Sequence, residues 1–341
     1  MTGHSGFKGT WLSSWLADLG ADVTGFSLPP YLDPANIAAS AGLEHRISET
    51  FGDVRDADSV FALFEAAQPE IVFHMAAQAL VRPSYVDPAG TISTNVMGVV
   101  NVLEAARRTP SVRAIVSVAS DKCYENPDDG RAHEETDPMG GSDPYSASKG
   151  AAEVVTTSYR RSFFSDPSGA LLASVRAGNV LGAGDASQDR IIPDVIRTIR
   201  SGGEIALRNP TAVRPWQHVL EPLRAYLLLG ADLLAGDWPK TGSWNIGPTS
   251  DGAVTVRDLV TAIVDAWGLD VPIDTSGAEG PPEATYLRLD TTKARNELGF
   301  VPHFRFQDTV DYVVGGYRAQ LGGEPLGSVL SRQTASYMEI G

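Results

Sequence analysis

The sequence predicts an α/β fold in which a doubly wound parallel sheet carries a smaller C-terminal lobe. Four short runs rich in β-branched and aromatic residues, at 23–26, 70–74, 113–118 and 171–176, have the apolar character of strands buried on both faces. Apolar residues recur at helical spacing around these runs, over 10–19, 57–67, 91–107 and 144–162. Such an alternation of strands and helices is typical of a parallel sheet covered by helices on both sides.

The first element is a glycine-rich turn that leads into the helix at 10–19. Gly3, Gly6 and Gly9 stand at a GxxGxxG spacing, with Phe7 in the same run. Glycines so spaced permit a tight turn and bring backbone amides and a helix N-terminus close to a pyrophosphate. The motif therefore predicts a dinucleotide site, with an ordinary glycine turn as the alternative.

The strand that normally precedes such a turn is missing from the sequence. Met1 stands where a strand valine is expected, and a valine codon can also serve as a start. We therefore expect that the first, central strand is truncated because translation was assigned to an internal start.

The next two strand ends are expected to meet the adenosine part of the dinucleotide. The run at 23–26 is followed by Ser27, where NAD-binding chains often have an acidic residue for the ribose. No arginine lies nearby to receive a 2′-phosphate, and only Lys8 is placed to reach one, so we expect NAD rather than NADP. Asp53 and Val54 are expected near the adenine, although Asp53 equally suits a cap for the helix at 57–67.

Composition restricts the class of protein. The 341 residues are 43% hydrophobic, and their formal net charge is 27 − 42 = −15, with no long basic run that would serve nucleic acid. A single cysteine, Cys123, excludes a disulfide within the chain and suits a reducing compartment. No apolar run approaches the roughly 20 residues that span a bilayer, and no signal peptide is evident. We expect a cytoplasmic protein without nucleic-acid or membrane partners.

The periodic pattern weakens after Arg176, because glycine and proline become frequent and the elements shorten. We therefore divide the chain into a dinucleotide-binding domain at 1–176 and a mainly substrate-binding lobe at 177–322, some segments of which return to the first domain. The segment at 323–341 has few periodic apolar positions. We expect a tail that is mobile or docks on a partner subunit.

A tyrosine and a lysine on one predicted helix indicate proton-transfer chemistry. Tyr145 and Lys149 are four residues apart, so their side chains share one helix face. A tyrosine with a pKa of about 10 is a poor base near neutral pH, and we expect the adjacent ammonium to favour its phenolate. Ser120, Asp121 and Lys122 follow a buried strand, at the sheet edge where ligands bind. A surface turn with capping side chains is the alternative for these three.

These motifs together resemble the CDP-glucose 4,6-dehydratases, which belong to the extended short-chain dehydrogenases with a Rossmann domain. The resemblance rests on SDKCYEN at 120–126 and GGSDPYSASK at 140–149, and on shorter segments at 176–182, 189–194, 214–219, 244–248 and 289–294. It covers nearly the whole chain. Related dTDP-glucose dehydratases carry Asp-Glu where this chain has Asp121 and Lys122, so the pair favours a CDP-sugar.

The resemblance implies an internal redox cycle with a tightly held NAD. The hydroxyl at carbon 4 of the sugar is oxidised, water is eliminated across carbons 5 and 6, and the hydride returns to carbon 6. Tyr145 is then the redox base, Ser120 its hydrogen-bonding neighbour and Asp121 the acid for the departing hydroxyl. Lys122 becomes the base at carbon 5, although a lysine with a pKa of about 10.4 needs strong depression for that role.

The resemblance also assigns residues that hold the ligands. Ala76 and Ala77 would let the cofactor approach closely. The expected substrate contacts are Gln78, Asn179, Arg190 and Arg214, the two arginines binding the diphosphate. His74 has no second ligand at metal spacing and is expected to be structural. Asn95 resembles an asparagine that supports the proton relay, with an ordinary helix-surface amide as the alternative.

Two departures from the family pattern and three rival functions remain open. Ala186 stands where relatives often have tryptophan, and Pro282 precedes Glu283 where relatives often have histidine, so either change can reshape the sugar or base pocket. An epimerase would share Ser120, Tyr145 and Lys149, a dehydratase could act on another nucleotide sugar, and a non-catalytic dinucleotide sensor would share the fold. The predicted helices at 91–107 and 144–162 resemble the dimer-forming pair of the family, so a homodimer or homotetramer is expected.

Overall fold

The computed structural model describes residues 1–29, 36–187, 190–276 and 286–340. Its helices are α1 (Phe7–Asp18), α2 (Ile37–Ser40), α3 (Ala57–Ala67), α4 (Val81–Val86), α5 (Pro88–Ile92), α6 (Gly98–Arg108), α7 (Pro144–Ser162), α8 (Ile191–Ser201), α9 (Leu220–Leu234), α10 (Val256–Trp267), α11 (Thr292–Glu297), α12 (Phe306–Leu321) and α13 (Leu326–Met338). Its strands are β1 (Thr24–Ser27), β2 (Ser48–Phe51), β3 (Ile71–His74), β4 (Ala114–Val118), β5 (Leu171–Ala177), β6 (Val180–Leu181), β7 (Ile205–Ala206), β8 (Val213–Pro215), β9 (Gln217–His218), β10 (Gly242–Ile246), β11 (Ala253–Thr255) and β12 (Ile273–Asp274).

One parallel sheet forms the centre of the fold. The strands β10, β5, β4 and β3 are paired in that order, and β1 pairs with β2. Thr2 joins the two groups through parallel bridges to Phe26 and His74. The backbone NH of Thr2 donates to the Phe73 carbonyl at 3.0 Å, and that of Gly3 donates to the Phe26 carbonyl at 2.7 Å. The position where the sequence lacks a predicted strand is therefore occupied by Met1 and Thr2.

Two hydrophobic cores cover the two faces of this sheet. Along β4, Ala114 and Val116 point into one core and Ile115 into the other, as the alternation of a strand requires. The first core includes the fully buried Trp11 of α1 and Tyr226 of α9. The second is completed by residues of α3, α6 and α7. The predicted doubly wound α/β sheet is therefore confirmed.

Most predicted elements of the first 176 residues lie where the pattern placed them. The bounds of α3 and α7 equal the predicted ranges, and β1, β3, β4 and β5 begin or end within one residue of theirs. The helix predicted at 91–107 differs, because α5 and α6 are joined by a π-helical turn at Ser93–Met97. This wider turn holds Asn95, whose side chain is buried.

A third core lies outside the sheet, among helices of the C-terminal half. It packs α8, α10 and α12 together through aliphatic side chains that include Val195, Leu259, Ile263, Val313 and Val314. Chain segments do return to the sheet from this half, since β10 pairs with β5 and places Asn245 beside Arg176. The division of the chain at Ala177 stays a prediction.

The C-terminal segment is not the loose tail that the sequence suggested. Within it, α13 packs on α1 and α12 of its own chain. Val329, Leu330 and Tyr337 are fully buried there, and the Tyr337 hydroxyl donates to Glu221 at 2.8 Å. The expectation of a mobile segment was wrong because Gln333 and Thr334 interrupt the apolar face while being buried themselves. Docking of this segment on a partner subunit stays a prediction.

The described parts of the chain contain no helix with both the length and the apolar character needed to cross a bilayer.

Candidate active site

A cleft of about 720 Å³ opens at the carboxyl ends of the parallel strands and extends towards the C-terminal half. This is the edge at which open α/β sheets bind ligands. All but one of the predicted site residues line it, namely Gly3, Gly6, Phe7, Gly9, Ser27, Asp53, Val54, Ala76, Ala77, Ser120, Asp121, Lys122, Tyr145, Lys149, Asn179, Arg190 and Arg214. The exception is Gln78.

The glycine turn lies against the backbone of the loop after β3. Gly3 has a φ of 73°, and a Cβ there would lie 2.6 Å from the backbone nitrogen of Ala76. A Cβ on Gly9 would overlap the Gly3 carbonyl oxygen. Gly6 is the N-cap of α1, and no described side chain caps this helix end. The first amides of α1 thus face the cleft, in the arrangement that binds a pyrophosphate.

The adenosine end of the cleft contains Arg55, so the expectation that no arginine lies nearby was wrong. Ser27 donates a hydrogen bond to the Ser5 hydroxyl at 2.7 Å. The guanidinium of Arg55 lines the cleft and donates to the Asp53 carboxylate, with 2.9 Å between Nε and Oδ2. That hydrogen bond lowers the pKa of Asp53. The cap of α3 is Asp56, so the alternative role of Asp53 as a helix cap is wrong.

Lys8 does not extend towards this adenosine end. Its Nζ lies 3.3 Å from the hydroxyl of Tyr226 on α9, on the side of the cleft where β4 ends. Asp121 and Lys149 are among the charges that act on it. The idea that Lys8 reaches a 2′-phosphate is therefore wrong.

Gln78 was predicted to bind substrate, and the structure contradicts this. Its side-chain amide donates to the Leu80 carbonyl at 2.9 Å and to Thr91 at 3.0 Å, and its side-chain oxygen accepts from the Leu80 NH at 2.6 Å. The side chain thus braces its own loop. No local pattern distinguishes such a glutamine from one that faces the ligand.

Asn95 and His74 form hydrogen bonds between elements that surround the cleft. The Asn95 amide accepts from the backbone NH of Gln78 at 2.8 Å and donates to the Ser148 hydroxyl at 2.8 Å, so the alternative of a helix-surface amide is wrong. The buried His74 ring lies 2.7 Å from the Thr2 hydroxyl, and burial lowers its pKa to about 3. Both side chains tie neighbouring elements together.

The turn after β4 carries a buried carboxyl group. The Ser120 hydroxyl donates to Oδ1 of Asp121 at 3.0 Å and accepts from the backbone NH of Lys122 at 3.2 Å. Oδ2 of Asp121 is buried and has no hydrogen-bond partner among the described residues. Burial raises the pKa of Asp121, which favours the protonated form that a general acid needs.

Tyr145 and Lys149 face this turn from α7. Burial raises the pKa of Tyr145 to about 12, although a hydrogen bond with Ser120 opposes the rise. Burial also lowers the pKa of Lys149 to about 8. The expectation that Lys149 lowers the tyrosine pKa is therefore wrong for this state of the protein, because loss of hydration outweighs the nearby charges.

Buried contacts fix the register of α7. Asp143 caps the helix by accepting from the Ser146 NH at 2.9 Å. Two turns beyond Tyr145, Glu153 accepts from Nε of the buried Arg176 on β5 at 2.8 Å. The fully buried Cys123 lies in the turn beside Asp121. These contacts hold the face of α7 that carries Tyr145 and Lys149 against the strand ends.

The opposite wall of the cleft carries arginines. Arg190 pairs with Asp185 at 3.4 Å and is about one-third exposed. Arg214 is buried on β8 and donates to the Val213 carbonyl at 2.9 Å. Asn179 lies between β5 and β6. Tyr317, which the sequence analysis missed, lines the same wall and donates to the Asp185 carbonyl at 2.8 Å.

Of the two departures from the family pattern, only Ala186 lies among the described residues. Ala186 is exposed, and it is not among the described residues that line the cleft. Pro282 and Glu283 lie outside the described residues, as does Asp189.

The geometry fits a dinucleotide. The pyrophosphate would lie on the glycine turn and the first turn of α1. The absence of a side chain at Gly3 lets this turn lie against the backbone of Ala76, because a Cβ there would be 2.6 Å from the Ala76 nitrogen. Ser27 and Asp53 would face the adenosine, and Tyr145 with Lys149 the reacting end. The unpartnered oxygen of Asp121 would face a ligand beyond it.

Comparison with known proteins agrees with this geometry. The chain is 42% identical over 342 aligned positions to a CDP-glucose 4,6-dehydratase of Salmonella typhimurium, covering 99% of this chain and 95% of the relative. It is 29% identical to a dTDP-glucose 4,6-dehydratase of Streptomyces antibioticus, over 78% of this chain and 75% of the relative.

Solved structures share the fold. A UDP-glucose 4-epimerase of Thermotoga maritima with UDP-glucose superposes with a TM-score of 0.80 at 23% identity, covering 94% of this chain and 98% of that one. A double mutant of a dTDP-glucose 4,6-dehydratase of Streptomyces venezuelae, solved with NAD, superposes with a TM-score of 0.76 at 26% identity, covering 95% and 98%.

The profile of the NAD dependent epimerase/dehydratase family matches residues 1–247. Together with the 42% identity over nearly the whole chain, this match covers the sheet, the glycine turn and the Tyr145–Lys149 pair. The chain therefore belongs to the NAD-dependent epimerase/dehydratase family.

Proposed function

We propose that this protein is an NAD-dependent nucleotide-sugar 4,6-dehydratase, a hydro-lyase that converts CDP-glucose to CDP-4-keto-6-deoxyglucose and water. The observation that carries the proposal is the meeting of Tyr145 with Ser120, Asp121 and Lys122 in one cleft beside the glycine turn. An epimerase needs the tyrosine but has no use for a buried acid and a lysine beside it. The 42% identity to a CDP-glucose 4,6-dehydratase supports the same reaction.

In the redox half of the reaction, Tyr145 removes the proton from the hydroxyl at carbon 4. NAD held on the glycine turn and the first turn of α1 would supply the acceptor for the carbon-4 hydride and the donor of that hydride to carbon 6. The proton that Lys122 takes from carbon 5 in the elimination half would return to carbon 5 with this hydride. A tyrosine with a pKa of about 12 is largely protonated at neutral pH, so the Ser120 hydrogen bond and the Lys149 charge must favour its phenolate once the ligands are in place. Lys149 holds this charge on the same face of α7, one helical turn away.

In the elimination half, Asp121 gives its proton to the hydroxyl at carbon 6, which leaves as water. Lys122 accepts the proton from carbon 5, and the electrons of that bond form the double bond between carbons 5 and 6. The ketone at carbon 4 acidifies this proton, so a modest base suffices when it is correctly oriented. Burial of Asp121 supports its role as the acid, because it raises the carboxyl pKa.

The diphosphate of the substrate is assigned to Arg190 and Arg214, with Asn179 beside them. Guanidinium groups form forked, charge-assisted hydrogen bonds with phosphate oxygens. In a chain with a net charge of −15, two arginines in one cleft wall supply the local positive charge that a nucleotide sugar requires. The assignment of cytidine as the nucleobase is supported by the Asp121–Lys122 pair and by the relative named a CDP-glucose 4,6-dehydratase.

The test is to incubate the purified protein and NAD separately with CDP-glucose, dTDP-glucose and UDP-glucose, and to measure product mass. We expect the loss of one water from CDP-glucose alone. Loss of water from dTDP-glucose or UDP-glucose instead would support the dehydratase reaction but contradict the assignment of cytidine as the nucleobase. An unchanged mass for all three would reject the dehydratase, and a carbon-4 epimer would establish the epimerase.

We also propose that the chain forms a homodimer through neighbouring helices α4 to α7. Apolar side chains are exposed there without cover in the described chain, including Tyr85, Val86, Ile92, Met97 and Val154. Val86 is 88% exposed and Val154 is 58% exposed, which is costly for a face that meets only water. Sedimentation should show a dimer that Val154→Glu weakens, whereas a monomeric wild type would reject the proposal.

A further inference from the structure

Lys8 is a charged side chain that the mechanism above does not use. It lies in the first turn of α1 and lines the cleft. Its Nζ is 3.3 Å from the hydroxyl of Tyr226 and 5.8 Å from the centre of that ring. Tyr226 is fully buried on α9, so the lysine is held at the bottom of the cleft by an element that does not otherwise contribute to the site.

Lys8 contacts Tyr226 and shares the cleft with three charged groups from other elements. Tyr226 contacts it from α9, Asp121 attracts its charge from the turn after β4, and Arg190 and Lys149 repel it from the start of α8 and from α7. The pKa of Lys8 is lowered to about 7, mainly by burial and also by the two cations, while Asp121 opposes the shift. Asp121 is thus its one acidic neighbour in this set.

The interaction is reciprocal at Asp121. Burial raises the pKa of this carboxyl, whereas Lys122, the Ser120 hydrogen bond, Arg214 and Lys8 lower it. Oδ1 of Asp121 is occupied by Ser120, and Oδ2 has no partner among the described residues. The carboxyl group therefore keeps one oxygen that a ligand can contact. The cations that act on it would stabilise the negative charge that it acquires on ionisation.

We propose that Lys8 is a positioning residue for the elimination step, with an ammonium group that compensates the negative charge formed when Asp121 releases its proton. The inference rests on the proposed function. In that step the O–H bond of Asp121 breaks, its proton joins the oxygen leaving carbon 6, and Lys122 takes the carbon-5 proton. Lys8 neither forms nor breaks a covalent bond.

A purely structural role does not account for a lysine at this position. Burying an ammonium group is costly unless partners restore its lost hydration, and a single hydroxyl at 3.3 Å restores little of it. An apolar side chain of the same length would pack against the Tyr226 ring without that cost. The protonated form that this lysine keeps up to a pKa of about 7 is therefore explained by Asp121, the acid of the proposed reaction, in the same cleft.

The experiment compares wild type with Lys8→Met, which removes the charge at similar length, and Lys8→Arg, which restores it. Lys240→Met is the matched control, because Lys240 does not line the cleft. In single turnovers with NAD and CDP-glucose, reduced nicotinamide reports oxidation and product mass reports water loss. For Lys8→Met we expect oxidation near the wild-type rate, water loss about tenfold slower or more, and accumulation of reduced nicotinamide. Lys8→Arg should recover part of the loss.

A second readout does not depend on activity. The carbonyl stretch of labelled aspartate, with Asp121→Asn subtracted, gives the pKa of Asp121, which Lys8→Met should raise by about one unit. The proposed role of Lys8 would be overturned by an unchanged Asp121 pKa in Lys8→Met. It would also be overturned if the rates of oxidation and of water elimination fell by the same factor. A wild type inactive on every sugar nucleotide would reject the proposed function instead, and the titration would still decide whether Lys8 acts on Asp121.

Discussion

The two halves of the cleft are built from different material. The cofactor half is formed by backbone and by small residues, where Gly3 lies so close to Ala76 that a Cβ would be 2.6 Å from its backbone nitrogen. The substrate half is formed by long charged side chains, and Arg190 is already paired with Asp185. We infer that one half would select its ligand by shape and the other by exchange of charged partners.

The largest expected effect comes from breaking the shape of the cofactor half. Gly3→Ala places a side chain at a φ of 73° and against Ala76, so it should destabilise the fold by about 1–3 kcal/mol and prevent NAD binding, which abolishes activity. Calorimetric titration with NAD and chemical unfolding measure both effects. As a control, Gly315→Ala in α12 meets no atom within 4 Å and should stabilise the helix by roughly 1 kcal/mol. NAD affinity equal to wild type in Gly3→Ala would contradict the comparison.

A smaller effect is expected from the group between the two halves. Tyr145→Phe removes the redox base without altering either wall, so kcat should fall about 10²- to 10⁴-fold while NAD affinity and KM stay near wild type. Steady-state rates and a binding titration test this. Tyr159→Phe on the same helix, outside the cleft lining, should leave kcat unchanged. A full rate in Tyr145→Phe would remove the tyrosine from the mechanism.

The substrate half should respond more gradually. Arg190→Met removes one charge-assisted contact, typically worth about 1.5–3 kcal/mol, and should raise KM for the nucleotide sugar about 10- to 100-fold with NAD affinity retained. Arg197, which pairs with Asp194 and lies outside the cleft lining, provides the matched Arg197→Met control. Loss of NAD affinity in Arg190→Met would show that the two halves are not separable.

The smallest effect, taken over one pH unit, concerns the pH dependence of stability. Burial lowers the pKa of Lys149 to about 8, whereas the unfolded chain keeps this proton up to about 10.5. Between these values the unfolded state binds more protons, so a rise in pH stabilises the folded state, by at most about 1.4 kcal/mol per pH unit for this one group. Below pH 8 both states are protonated and the contribution is flat. Unfolding of wild type and Lys149→Met should therefore diverge from about pH 8 upward. Parallel curves would mean that the folded lysine keeps its ordinary pKa.

The contrast between contacts formed by backbone shape and contacts formed by long side chains also explains which features could be predicted from the sequence. The glycine turn and the Tyr145–Lys149 pair are local patterns, and their structural consequences follow from spacing alone. The bounds of α3 and α7 were equally local, since each helix has an aspartate cap directly before it, Asp56 and Asp143. Contacts made by backbone shape leave a readable signal in the sequence.

The errors concern side chains whose partners are distant in sequence or hidden in a loop. Gln78 bonds to the backbone of its own loop, and Lys8 is held by Tyr226, which lies 218 residues away. The apolar pattern of α13 is interrupted by Gln333, whose amide donates to the Tyr312 carbonyl at 2.6 Å. Neither a motif nor a periodicity records such pairings.

The single cysteine has a practical consequence. Because Cys123 is fully buried and burial raises its thiol pKa well above the ordinary value, it is a poor target for maleimide dyes in the folded protein. A cysteine placed on the exposed surface therefore becomes a selective attachment point. Two such points, one on α3 and one on α10, would let fluorescence energy transfer report whether the cleft narrows as ligands bind.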